Sequence, residues 1–361
     1  MNLETFALNH NQILDAIMAL GDQRTILIEG HMGTGKTALL DLLAERLPEH
    51  VPMYFDCTNK DVGDISIPKM LNAEDVDFVR FAPNEEFGIQ HGKPVLLMLD
   101  EFGKANRAVK AALTRVVLER KVGQYPLPEG SIVFATTNLA GEGVGDELLA
   151  HQSDRVTRIR MRKPTATEWI EWGINNHVHP TVLGWVKENP HVLQSYEDVT
   201  SPEDNPYIFH PREKRVAFVT PRSLAMASDW LHKREQLDDD TLTAMLIGTV
   251  GMRAALDMNA FIKLADQLPK MQDIKDSPET APVPTSAAAI CMVVYRTLAT
   301  IEADWVNAWM TYLNRLDPEA QGLFANGVRA PKYKKQSVVM TNKQFSAWAM
   351  NNSHMFTADK V

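Results

Sequence analysis

Apolar and polar positions fall into two rhythms along the chain. Short apolar runs rich in β-branched residues recur at 25–29, 53–58, 95–99, 131–137 and 156–161, and each predicts a strand. Helical periods lie between several of them. One covers 37–47 and is closed by Pro48; another covers 106–121, with Ala108, Val109, Ala112, Leu113, Val116 and Val117 on one stripe. Near-continuous apolar strands separated by helices indicate a parallel sheet covered on both faces. Residues 1–163 therefore read as one α/β domain.

From Pro164 onward the pattern is helical only. A capping box, Thr165 to Glu168, opens the helix "WIEWGI". Residues 189–215 are polar and proline-bearing and predict a long loop. Thr220-Pro221-Arg222 then supplies an N-cap and a proline at the first helical position for "RSLAMASDWLHKR". Residues 164–268 thus form an all-helical domain, 269–285 read as a linker, and 286–361 as a helical C-terminal region. There is no internal repeat and no low-complexity tract.

Composition narrows the function classes. Lys and Arg number 37 against 46 Asp and Glu, a net charge of −9, so the surface as a whole does not attract phosphate backbones or anionic membranes. Two cysteines, Cys57 and Cys291, sit among apolar residues and build no disulfide framework, which suits a reducing cytoplasm. No basic residue precedes Arg24, which argues against a signal peptide, and no apolar run approaches the ~18 residues of a membrane helix. The expected location is cytoplasmic, without membrane insertion.

Several features invite a bland reading. His177 and His179 have no Cys, Asp or Glu cluster at ligand spacing and read as surface histidines. The pairs Trp169 with Trp172 and Trp305 with Trp309 stand at helical spacing and read as core. "RAPKYKK", 329–335, places basic residues around one tyrosine, and a solvated loop is favoured over a nucleic-acid contact.

The candidate chemistry lies in "GHMGTGKT", which follows the first strand and opens a helix. It matches G-x-x-x-x-G-K-[ST], a loop whose glycines turn backbone N–H groups inward against the positive end of the helix to cradle phosphates. Gly30, Gly33, Thr34, Gly35, Lys36 and Thr37 form this candidate nucleotide site. Lys36 is expected to reach the β and γ phosphates, and Thr37 to ligate Mg²⁺. "PVLLMLDEF" ends a buried strand in Asp100-Glu101, which puts both acids at the carboxyl end of a parallel strand beside the P-loop. Asp100 there holds the Mg²⁺ water shell, and Glu101 orients and deprotonates the attacking water. "SIVFATTNL" ends another strand in Asn138, a neutral amide suited to positioning that water.

These motifs in this order resemble the AAA+ ATPases, specifically the MoxR-like branch. "GHMGTGKT" resembles Walker A, "LLMLDE" Walker B, "FATTN" sensor 1, "SDRV" the family's Leu-Asp-Arg-Phe segment, and "TPRSL" its sensor 2. The resemblance spans about 23–231, is looser at the last two motifs, and leaves 269–361 unassigned. It implies an α/β P-loop NTPase sheet with a helical lid, ATP and Mg²⁺ as cofactors, and hydrolysis between subunits of a hexameric ring that remodels protein partners. It also points to a von Willebrand A domain protein as a partner in trans.

Carried onto this chain, the resemblance makes Arg155 the arginine finger acting on a neighbour's ATP, and Arg222 the sensor 2 arginine. Ser153 and Val156 depart from the family's Leu and Phe, so Arg158 and Arg160 stay open as fingers. A guanidinium can stabilise charge on a transferring phosphoryl group, commonly by ~10³-fold or more. Arg222 falls in a first helical turn, where a cation opposes the helix dipole by a few tenths to ~1 kcal/mol. The family's insertion and hairpin correspond to 64–92 and 122–130, loops expected to face a partner or a pore. The function expected is Mg²⁺-dependent ATP hydrolysis by an oligomeric remodeller. The alternatives are a nucleic-acid-associated or clamp-loader-like motor and a non-catalytic ATP-dependent switch.

Overall fold

The computed structural model describes residues 6–73, 76–142, 154–265, 268–331 and 333–356. The chain divides into two compact units, 1–163 and 164–361. In the first unit, helix α1 (His10–Leu20) begins at an Asn9 capping box and precedes β1 (Ile26–Gly30), α2 (Ala38–Arg46) and β2 (Val51–Asp56). An antiparallel hairpin follows, β3 (Ser66–Ala73) with β4 (Val76–Pro83). Next come β5 (Val95–Asp100), α3 (Arg107–Glu119), the two-residue strands β6 (Lys121–Val122) and β7 (Tyr125–Pro126), β8 (Ile132–Thr137) and β9 (Thr157–Met161).

Five strands form one parallel sheet in the order β2-β5-β8-β1-β9. Alternate side chains of each strand point to opposite faces, and the two cores follow that alternation. Leu27, Leu97, Leu99, Val133 and Ala135 pack with Val109, Leu113, Val116 and Val117 of α3. Ile26, Ile28, Leu96, Met98, Ile132 and Phe134 pack with Ile13, Leu14 and Ile17 of α1 and Leu39, Leu40 and Leu43 of α2. The result is the helix-covered parallel sheet that the apolar runs predict. On α3 the stripe is narrower than expected, because Ala108 is exposed in the first turn.

The acid-bearing strand β5 does not lie beside β1; β8 stands between them. Strand order comes from long-range pairing, which no local pattern encodes. Its consequence is that the carboxyl end of β8, with Asn138, lies between the P-loop and Asp100-Glu101.

Segments 64–92 and 122–130 carry the β3–β4 and β6–β7 hairpins. Pro68 pairs with Phe81 and Met70 with Val79, so these four share one face. Met70 is 65% and Phe81 52% exposed, an apolar face open to solvent.

The second unit is helical. Thr165 and Glu168 make the predicted capping box at Ala166–Asn175, and Thr220 caps Pro221–His232 with Pro221 in its first turn. Helices Ala287–Thr300, Val306–Leu313 and Pro318–Arg329 share one hydrophobic core with the helices before them. Residues 269–285 do not behave as a free linker. They contain helix Met271–Asp276, bury Ile274 and Ala281, and hold Pro282 O and Pro278 O against the Tyr312 hydroxyl and the Arg315 guanidinium. Prolines interrupt helical periodicity without preventing packing, which is why sequence reads the segment as a connector.

The 189–215 segment is irregular yet buries Val192, Leu193, Asn205, Ile208 and His210. Trp169, Trp305 and Trp309 are core, as expected, whereas Trp172 is 42% exposed. His179 is not a surface histidine. Its ring accepts from the Thr181 N–H, and burial, then neighbouring His232, Arg234 and Arg296, push its pKa down to about 3. Tyr333 of the basic patch is buried, with its hydroxyl donating to Leu298 O at 2.6 Å, so it offers no stacking platform. Cys57 and Cys291 are buried free thiols whose pKa burial pushes up. No described helix is long and apolar enough to cross a membrane.

Candidate functional site

The P-loop joins β1 to α2. Gly33 and Gly35 have φ of 70° and 90°, a left-handed backbone that costs other residues about 1 kcal/mol or more and lets the loop curl around its own centre. Among the described residues, the N–H groups of Gly33, Thr34, Gly35 and Thr37 meet no acceptor. Thr34 is nevertheless buried. Thr37 precedes α2 without using its side chain as a cap, so its hydroxyl is available. Thr34 Oγ1 donates to His31 O, and the His10 ring contacts Thr34 O, bracing the loop from inside and from α1.

Lys36 is 6% exposed and folds back into the loop. Its Nζ donates to Gly30 O and His31 O, both at 2.9 Å, and to Asn138 Oδ1 at 2.6 Å. Asn138 in turn donates through Nδ2 to Glu101 Oε1 at 2.7 Å. A chain of hydrogen bonds therefore runs from the P-loop lysine through the end of β8 to the acid after β5. Glu101 has φ 51° and ψ 35°, left-handed for a non-glycine residue, a strain of order 1–3 kcal/mol that accumulates at functional positions. Lys104 Nζ lies 3.3 Å from Glu101 Oε2.

Asp100 ends β5 and is 9% exposed. Its Oδ2 accepts from the Tyr54 hydroxyl at 2.8 Å and its Oδ1 from Thr136 Oγ1, so donors on β2 and β8 orient the carboxylate from both sides. Burial, then the bond to Asp100 and the charge of Asp100, Asp56 and Glu101, raise the Tyr54 pKa well above its ordinary value, keeping it a donor at neutral pH. Sequence reasoning missed Tyr54 and Thr136. Only the strand order reveals that both converge on Asp100.

The residues present fit a nucleotide with Mg²⁺. The cradle offers unpaired backbone donors, and Thr37 and Asp100 supply the hard oxygens that Mg²⁺ prefers. Outer partners of a metal-binding carboxylate commonly matter by about 10-fold or more in affinity. Tyr54→Phe should therefore raise the Mg²⁺ concentration that half-saturates nucleotide binding by about 10-fold. A Mg²⁺ titration of fluorescent-ADP binding checks this, and an unchanged midpoint removes Tyr54 from the site.

Glu142 was not anticipated either. It follows Asn138 on the turn Ala140–Glu142, donates nothing, and receives the Met32 N–H on Oε2 at 2.6 Å and a short contact from His31 Nδ1 on Oε1.

The arginines separate. Arg155 is exposed at the start of β9, where it lines a shallow depression with Phe102, Thr114, Val117 and Val156. Among the described residues its guanidinium has no acceptor. Thr157 pairs with Ile26, at the end of β1 opposite the P-loop, so the length of β1, on the order of 13 Å, separates Arg155 from its own Gly30. Arg158 is engaged with Glu29, its Nε donating to Oε1 at 2.9 Å. Arg160 also has a partner. Ser153 lies outside the described residues. Arg222 is the exposed second residue of helix Pro221–His232 in the second unit.

No family profile matches the chain, and no curated protein matches it. Solved structures do align. A Thermotoga maritima RuvB mutant has 16% identity and a TM-score of 0.36, over 81% of this chain and 82% of its own. Thermotoga maritima RuvB, described as a Holliday junction branch migration motor, has 15% identity and a TM-score of 0.36 over 82% and 86%. A candidate ATPase from Cytophaga hutchinsonii has 14% identity and a TM-score of 0.34 over 94% and 88%. At this distance they are similar outlines, and the function of the site rests on its own geometry.

Proposed function

We propose that the chain is an ATPase of the AAA+ MoxR-like kind that works as an oligomer on a protein partner. The observation that carries the reading is the hydrogen-bond chain from Lys36 through Asn138 to Glu101, set beside Asp100 at the mouth of the P-loop. A loop that only bound nucleotide would need no acid held at the end of that chain.

In this reading Gly30, Gly33, Thr34 and Gly35 shape the cradle, and Lys36 turns from Asn138 to the β and γ phosphates. Thr37 and Asp100 would hold Mg²⁺, which when bound would supply charge neutralisation on the transferring phosphoryl group. Release of Lys36 frees Asn138 Oδ1, and Asn138 then orients the water whose proton Glu101 accepts as its oxygen attacks the γ phosphorus. The bond from that phosphorus to the ADP oxygen breaks, leaving ADP and phosphate. Arg155 of a neighbouring subunit stabilises the charge that develops, and Arg222 acts as the second sensor by its motif.

Two features support a protein partner over nucleic acid. The β3–β4 hairpin exposes an apolar face, and the one aromatic in the basic patch is buried. The partner's identity, including a von Willebrand A domain protein, and a hexameric ring are proposals that rest on the family resemblance. The test is nucleotide binding and phosphate release for the wild type and Lys36→Ala. The reading expects the substitution to weaken ATP binding by about 100-fold or more, since it removes a buried cation that pairs directly with phosphate. Equal binding by both proteins would overturn it.

A further inference from the structure

We infer that Glu142 is a built-in anionic competitor for the P-loop, a carboxylate that nucleotide phosphate must displace. The inference rests on the nucleotide-binding reading above. Its ground is the way the glutamate is seated. One carboxylate oxygen takes the backbone N–H of Met32 at 2.6 Å, and the other takes the Nδ1 side of His31. The side chains of His31 and Glu142 are 4% and 2% exposed, so this carboxylate has left water for the mouth of the loop.

Burying a carboxylate is unfavourable unless its oxygens meet donors. Here the donors belong to a loop whose remaining N–H groups at Gly33, Thr34, Gly35 and Thr37 meet no described acceptor. Glu142 thus satisfies the entrance of an anion cradle and leaves its centre open. Phosphate and carboxylate in one small, partly desolvated loop repel each other, and the repulsion grows as water leaves. Glu142 also lies on the turn that continues from Asn138, so its departure loosens the segment that positions the sensor amide.

The test is a titration of full-length protein with fluorescent ADP, with circular dichroism to check folding, for the wild type, Glu142→Gln, Glu142→Asp and Lys36→Ala. Glu142→Gln removes the charge at constant size, and Glu142→Asp withdraws the carboxylate by one methylene. Both should bind ADP more tightly, Glu142→Gln by about 10-fold, the scale of one charge-assisted hydrogen bond. Adenosine, which carries no phosphate, should bind all folded variants alike. If Glu142→Gln and Glu142→Asp bind ADP as the wild type does, or more weakly, while Lys36→Ala loses binding, Glu142 is a structural strap and the inference is overturned. If Lys36→Ala binds as the wild type does, the nucleotide reading itself fails and takes this inference with it.

Discussion

Glu101→Gln should lower ATP turnover by about 10³-fold while ATP remains bound, the scale of a lost general base. The substitution is informative because it changes so little else. A glutamine carbonyl can still accept the Asn138 Nδ2 hydrogen that Glu101 Oε1 accepts at 2.7 Å, so the chain to Lys36 survives. The 3.3 Å pairing with Lys104 is lost, but both side chains are partly solvated, and such pairs contribute about 1 kcal/mol or less. The left-handed backbone at this position is unchanged in kind, since glutamine and glutamate pay similar strain there. What disappears is the proton acceptor. Phosphate release and nucleotide retention measured on one preparation check the expectation. Near-normal turnover would remove Glu101 from the chemistry and leave a nucleotide-dependent switch as the better reading.

Arg155→Ala should lower turnover to a comparable extent, about 10³-fold, through the loss of a guanidinium from the transition state. Its stability should barely move, because Arg155 is exposed and holds no described acceptor. The geometry also bears on the subunit in which the proposed finger would act. Its strand begins at the end of β1 remote from Gly30, so the arginine is displaced from its own phosphate cradle by the length of that strand. In the proposed ring it would therefore serve a neighbour's site. Arg158→Ala should differ, since its guanidinium is already spent on Glu29 within the same chain. Steady-state ATPase assays of both variants, with thermal melts alongside, separate these roles. If Arg158→Ala is the dead variant and Arg155→Ala is active, the finger has been assigned to the wrong residue.

Much of this site is legible in sequence because it is locally encoded. The glycines of the P-loop, the apolar run ending in Asp100-Glu101 and the N-cap at Thr220 are patterns within a few residues, and each element lies within about two residues of its expected bounds. Asn138 is visible only as a strand-end amide. Its placement between Lys36 and Glu101 depends on β8 entering the sheet between β1 and β5, a matter of pairing across many residues. Tyr54, Thr136 and Glu142 were invisible for the same reason, as each acts on a residue far away in the chain. The 269–285 segment misleads in the other direction. Its prolines suggest a connector, while Ile274 and Ala281 show that burial can be achieved without regular periodicity. Trp172 shows the converse, a large aromatic at helical spacing that stays half outside.

The central claim is an active site shared between subunits, and a mixing experiment tests it most directly. Arg155→Ala subunits retain Glu101, and Glu101→Gln subunits retain Arg155. In a mixed ring with equal parts of each, roughly a quarter of the head-to-tail interfaces combine an intact acid with an intact finger. Two inactive preparations should regain ATP turnover on mixing, to roughly a quarter of the wild-type rate. Wild-type specific activity should also rise with protein concentration. No recovery at any mixing ratio, with wild-type activity independent of concentration, would contradict that claim.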